Sequence, residues 1–142
     1  MERILEGLNP EKVFYYFEEL TKIPRGSGNE KQVSDYLYNL AKSKNWDVLQ
    51  DDYLNIIIRK PAAKGYENAP SVMLQGHMDM VCEKNEDVEH DFEKDPIKLR
   101  IIDGSIYATE TTLGADNGIA VAYALAILDS DDLAHPSLEV LI

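Results

Sequence analysis

Leu74-Gln75-Gly76-His77-Met78-Asp79-Met80-Val81 is an apolar run that meets a glycine and then presents a histidine and an aspartate. A second stretch has a similar build: Thr112-Leu113-Gly114-Ala115-Asp116-Asn117-Gly118. Each places a side chain able to bind a metal where a strand gives way to a glycine-containing turn. A strand end is rigid, and the turn beyond it is open to solvent. Such a place can hold a metal and still leave a coordination position free.

Asn9-Pro10-Glu11 reads as a helix start, with Asn as cap and Pro in the first turn. Val13, Phe14, Phe17 and Leu20 form its apolar stripe, and Pro24 stops it. Ser27-Gly28-Asn29-Glu30 has capping-box spacing and opens a second helix, with Val33, Leu37, Leu40 and Ala41 as its buried face. Trp46–Gln50 and Asn55–Arg59 pair as a hairpin across Asp51-Asp52. Ser71–Gln75 reads as a short buried strand. Glu83–Asp95 is an acidic, exposed excursion. Lys98–Ile102 and Ser105–Ala108 flank an Asp103-Gly104 turn. Gly118–Leu128 is apolar nearly all round, which marks a central helix. Ser137–Ile142 begins a further strand. Helices alternating with strands predict an α/β fold, with helices packed on a mixed sheet. The last strand reaches Ile142, whereas domain boundaries usually fall in exposed linkers. The expectation is therefore the first part of a longer protein. The incomplete sheet would expose an edge and favour a homo-oligomer or aggregation.

A chain of 142 residues is long enough for one domain with a core. A net charge of -12 argues against nucleic acid and anionic membrane surfaces as partners. Met1–Glu6 mixes charges and does not read as a secretory leader. No run approaches the ~18 apolar residues of a membrane span. The single Cys82 cannot form an internal disulfide, which suits a cytoplasmic location. Cys82 follows His77 closely, so a thiolate role is weighed against that of a small half-buried residue. The lack of a nearby His partner favours the latter.

His77 has two readings. It can ligate zinc, with Asp79 accepting the other ring N–H and fixing the tautomer. It can equally be a histidine at a strand end bonded to a neighbouring carboxylate. Asp116 can be the N-cap of the helix that follows. It can also bridge two divalent ions roughly 3.5–4 Å apart, whose repulsion such a carboxylate offsets. His90 lies in the acidic excursion, and His135 sits in a loop with no evident partner. Gly26-Ser27-Gly28-Asn29-Glu30-Lys31 lacks phosphate-loop spacing.

The order of His-x-Asp after a strand and Gly-Ala-Asp-Asn-Gly before a helix resembles the co-catalytic zinc metallopeptidases. Thr111–Ile119, Ile23–Glu30 and His90-Asp91-Phe92 are most similar to the bacterial aminoacyl-histidine dipeptidase (Xaa-His dipeptidase) subgroup. The resemblance implies a hydrolase of small peptides such as carnosine-like Xaa-His, with two zinc ions per complete site. It implies His77 as a ligand of one zinc, Asp79 as the residue that orients the metal shell, and Asp116 as a bridge between both zincs. It also implies a cis Asp116–Asn117 peptide. Residues 1–142 would form the N-terminal portion of a catalytic domain, without the remainder of that domain or its dimerisation and lid domain. The family's Glu-Glu pair, which provides the general base and a further ligand, would follow Ile142. The chain alone is therefore expected to be inactive. Two other readings stand beside this one: a non-catalytic α/β binding or interaction module, and a tripeptidase or deacylase of the same family.

Overall fold

The computed structural model describes residues 3–142, so Met1 and Glu2 of the Met1–Glu6 stretch lie outside it. Three helices, α1 (Glu11–Thr21), α2 (Lys31–Ser43) and α3 (Ala115–Leu128), are interleaved with six strands. The strands are β1 (Asp47–Gln50), β2 (Ile56–Lys60), β3 (Val72–Gln75), β4 (Leu99–Ile102), β5 (Ser105–Ala108) and β6 (Leu138–Leu141). Four strands form a sheet in the order β1-β2-β6-β3, and β4 and β5 form a separate hairpin. β1–β2 and β2–β6 are antiparallel, whereas β3–β6 is parallel, so the sheet is mixed.

One continuous apolar core joins the helices to the sheet. Val33, Leu37 and Ala41 of α2 enter it with Ile56 and Ile58 of β2 and Val140 of β6. Ile56 and Ile58 are two residues apart, so the strand pleat puts both on the same face. α1 contributes Val13, Phe17 and Leu20, and packs along α3. α3 buries Val121, Ala122, Leu125 and Leu128, while Tyr123 opens to solvent. Among the described residues, no helix is long and apolar enough to cross a membrane.

Four local expectations are corrected. Pro10 rather than Asn9 caps α1, no side chain bonds the first turn, and the Asn9–Pro10 peptide is cis. The Ser27–Glu30 capping box does not form. Glu30 turns back only as far as the Gly28 N–H, and the Ser27 hydroxyl is taken by Asp79. β3 is an edge strand rather than a buried one: Val72 and Met73 are 43% and 58% exposed. Its apolar run cannot distinguish an edge from an interior strand, because strand order is set by distant pairing. His135, read as partnerless, is buried and bonds the Pro136 carbonyl through Nδ1.

The β4–β5 turn follows the Asp-Gly signal closely. Asp103 and Gly104 have φ of 49° and 77°, and the strands pair Ile102 with Ser105. A Cβ at Gly104 would touch nothing, so Gly104→Ala isolates the backbone cost. It is expected to lower stability by about 1–2 kcal/mol, the penalty of a left-handed L-residue. An unchanged urea midpoint would contradict this.

Candidate functional site

β3 and β6 run in the same direction, and their carboxyl ends open into a cleft. The Gly76 N–H donates to the Leu141 carbonyl and extends the pairing beyond β3, which fixes where His77 emerges. Crevices at the carboxyl ends of parallel strands are common ligand sites in open α/β sheets. A Cβ on Gly76 would lie 3.2 Å from Ala120 Cβ and 3.3 Å from Asn117 Oδ1. The absence of a Cβ here lets the start of α3 approach β3 closely.

His77 meets a carboxylate at each ring nitrogen. Nδ1 lies 2.8 Å from Asp79 Oδ1, and Nε2 lies 3.1 Å from Asp116 Oδ1. Asp79 in turn accepts the Ser27 hydroxyl at Oδ2, 2.5 Å away. Burial disfavours the charged ring, but the bonds to Asp116 and Asp79 outweigh it and raise the His77 pKa. The Ser27 hydroxyl lowers the Asp79 pKa against the opposing effect of burial, and His77 adds to the lowering. His77 is half exposed and the Asp116 side chain is 93% exposed, so both face the opening.

His77 and Asp116 are brought together by the return of an excursion. After Val81 the chain runs out through the acidic loop and the β4–β5 hairpin, then comes back antiparallel to its outgoing limb. The Asn85 N–H donates to the Glu110 carbonyl, and the Thr112 N–H to the Glu83 carbonyl. The Thr112 hydroxyl donates to the Val81 carbonyl at 2.7 Å. Ile97, which donates its N–H to the Thr21 carbonyl, anchors the excursion on α1. Gly114 then turns at φ 74°, and Asp116 and Asn117 keep non-helical backbone before the regular helix begins. The Asp116–Asn117 peptide is cis, as the resemblance implies.

This donor set fits a divalent cation. With the Nδ1 proton given to Asp79, the neutral imidazole would turn a lone pair toward the Asp116 carboxylate. Two acceptors 3.1 Å apart repel, so a second ring proton or a cation must lie between them. Imidazole nitrogen and carboxylate oxygen are both zinc donors. Among the described residues, no group of three or more His, Cys, Asp or Glu side chains is placed to hold a metal. Among the described residues, His77 Nε2 and the Asp116 carboxylate are the two groups that face each other here. The adjoining cleft, of about 400 Å³, is lined by Glu30, Tyr53, Asn55, His77, Asp79 and Ile142.

Arg25 and Ser27 are the two neighbours of this site to which sequence reasoning gave no part. Ser27 carried a helix-cap signal, and that signal masked its bond to Asp79. Arg25 is 2% exposed, and its guanidinium donates to the Met78 and Gly114 carbonyls. It lies within the Ile23–Glu30 stretch that resembles the dipeptidase subgroup, but nothing local assigns it a role, because its partners lie in distant segments.

No protein-family model matches the chain. It is 46% identical over 138 residues to the cytosol non-specific dipeptidase of Escherichia coli (strain K12), a match covering 97% of this chain and 28% of that protein. The aminoacylhistidine dipeptidase of Vibrio alginolyticus superimposes with a TM-score of 0.94 at 42% identity, over 96% of this chain and 28% of that one. A tripeptidase of Staphylococcus aureus superimposes with a TM-score of 0.74 at 22% identity, over 95% of this chain and 36% of that one. At that identity the likeness shows the fold alone. The chain thus spans under a third of the length of the two dipeptidases. Across nearly all of its own residues it is homologous to peptidases, and the group that it resembles is that of the aminoacyl-histidine dipeptidases.

Proposed function

We propose that this chain supplies part of the zinc site of a dipeptidase acting on Xaa-His peptides, and forms the N-terminal portion of its catalytic domain. The observation that carries the proposal is the half-exposed His77 ring with a carboxylate at each nitrogen, at the mouth of a cleft. The name of the Vibrio alginolyticus enzyme supports the Xaa-His class, whereas that of the Escherichia coli relative, a non-specific dipeptidase, supports dipeptides in general.

His77 would offer Nε2 to the metal, and Asp116 would offer its carboxylate. Asp79 would hold the Nδ1 proton, so that Nε2 keeps a lone pair and the ring its orientation. Ser27 would keep Asp79 ionised and aimed at His77. Bound zinc supplies a Lewis acid that polarises a peptide carbonyl and lowers the pKa of water toward neutrality. Amide hydrolysis also needs a base to take a proton from water and an acid to give one to the leaving amine. Glu30 lines the cleft, but its carboxylate accepts the Gly28 N–H. Neither Asp79 nor Asp116 is free for the task if both serve the metal. The chain by itself is therefore read as inactive.

The test compares two polypeptides: these 142 residues, and the product of the whole reading frame that encodes them. With zinc and an Xaa-His dipeptide, the 142-residue chain is expected to show no hydrolysis. The product of the whole frame is expected to show hydrolysis that a chelator stops and zinc restores. Chelator-sensitive turnover by the chain alone would overturn its assignment as a partial site. No turnover of any dipeptide by the zinc-loaded whole product would overturn the enzyme reading.

A further inference from the structure

Arg25 lies almost wholly buried, and among the described residues no carboxylate lies within ion-pair distance of it. A buried charge without a paired carboxylate is costly, and here hydrogen bonds to carbonyls offset part of that cost. Its two terminal nitrogens bond two different segments. Nη1 donates to the Met78 carbonyl at 2.9 Å, between His77 and Asp79. Nη2 donates to the Gly114 carbonyl at 2.7 Å, just ahead of Asp116. Its own backbone is pinned to the first of these segments. The Met80 N–H donates to the Arg25 carbonyl, and the Ser27 N–H to the Met80 carbonyl. The ground around the guanidinium is cleared by glycines: a Cβ at Gly114 would come within 2.5 Å of Nη2, and one at Gly118 within 2.8 Å.

We infer that Arg25 is a positioning residue that spans the two halves of the site and sets the separation of His77 from Asp116. The planar fork suits this task because its two donors diverge at a fixed spacing. A lysine carries one point of charge on a flexible stem and cannot hold both carbonyls in the same geometry. The Nδ1 contact of His77 lies within one segment, which the Met80–Arg25 and Ser27–Met80 backbone bonds hold as well as the fork. The Nε2 contact crosses between segments, and of these bonds only the fork reaches both. The metal role of His77 and Asp116 rests on the function proposed above; the bridge itself does not require a metal.

The experiment is long-range 1H–15N NMR of the histidine side chains in the metal-free 142-residue chain. His77→Gln assigns the His77 signals. In the parent sequence, Asp116→Asn is expected to move the Nε2 shift and Asp79→Asn the Nδ1 shift. In an Arg25→Lys background, Nδ1 should still respond to Asp79→Asn, whereas Nε2 should no longer respond to Asp116→Asn. General loosening of the fold would weaken both responses together, so the split is specific to a bridge. Gly118→Ala keeps Arg25 but crowds its fork, and serves where Arg25→Lys fails to fold. It should give the same split, and adding Arg25→Lys to it should change little further. A folded Arg25→Lys chain, or a folded Gly118→Ala chain, with both responses intact would overturn the inference. Zinc titration of the product of the whole reading frame separates the two readings. A parent chain that shows the Nε2 contact and its loss in Arg25→Lys, beside a whole product that takes up no zinc, would leave the bridge standing and remove the metal.

Discussion

Replacing His77 with alanine is expected to lower the zinc affinity of this chain by about a hundredfold or more. Removing a hydrogen-bond partner behind a ligand typically costs 10–100-fold, and removing the ligand should cost at least as much. Among the described residues two donors converge here, His77 Nε2 and the Asp116 carboxylate, so the loss of either leaves a single weak contact. Asp79→Ala is expected to fall within the 10–100-fold range, because the ring keeps its nitrogen but loses the acceptor that holds its tautomer. The fold should barely respond to His77→Ala. The ring is half exposed, and surface substitutions of this kind usually stay within about 0.5 kcal/mol. Isothermal titration with zinc, beside a urea melt of each variant, separates binding from stability. Equal zinc binding by His77→Ala and the parent chain would place the metal elsewhere.

Gly114→Ala is expected to destabilise the chain by about 2–4 kcal/mol, through two effects with separate causes. The first is backbone. Gly114 sits at φ 74°, where an L-residue costs about 1–2 kcal/mol. The second is space. A Cβ would stand 2.5 Å from Arg25 Nη2 and 2.7 Å from Met80 Sδ, both buried side chains with little room to retreat. Overpacking of this kind costs about 1–3 kcal/mol. Arg25 cannot swing away cheaply, since the same nitrogen bonds the Gly114 carbonyl. Gly104→Ala is the control, with a similar φ and nothing nearby. A denaturant midpoint for Gly114→Ala no lower than that of Gly104→Ala would show that the packing argument is wrong.

Local pattern carried much of the architecture. The period of Val13, Phe17 and Leu20 places α1, and that of Val33, Leu37 and Ala41 places α2, because apolar side chains at helical spacing have one face to bury. Asp103-Gly104 specifies its hairpin, since both residues tolerate positive φ. The uninterrupted apolar run from Gly118 signals a helix packed on several sides, and it lies between α1 and β3. Caps were less legible. Ser27 and Glu30 have the spacing of a capping box, yet the hydroxyl bonds Asp79 at a distance of 2.5 Å instead. A short polar side chain accepts whichever partner the fold delivers, and local spacing cannot rank a distant carboxylate above a nearby N–H.

The element types, the mixed α/β class, the kinship with peptidases and the choice of His77, Asp79 and Asp116 as the side chains worth watching were all legible in the amino-acid sequence. Those follow from residue type and spacing, which are local properties or recognisable motifs. The tertiary structure alone decided that β3 stands at the edge, that His77 and Asp116 come within 3.1 Å, and that Arg25 joins their two segments from inside the core. Each of these depends on pairing between residues far apart in the chain. Burial and strand order, not local propensity, settle which distant groups become neighbours.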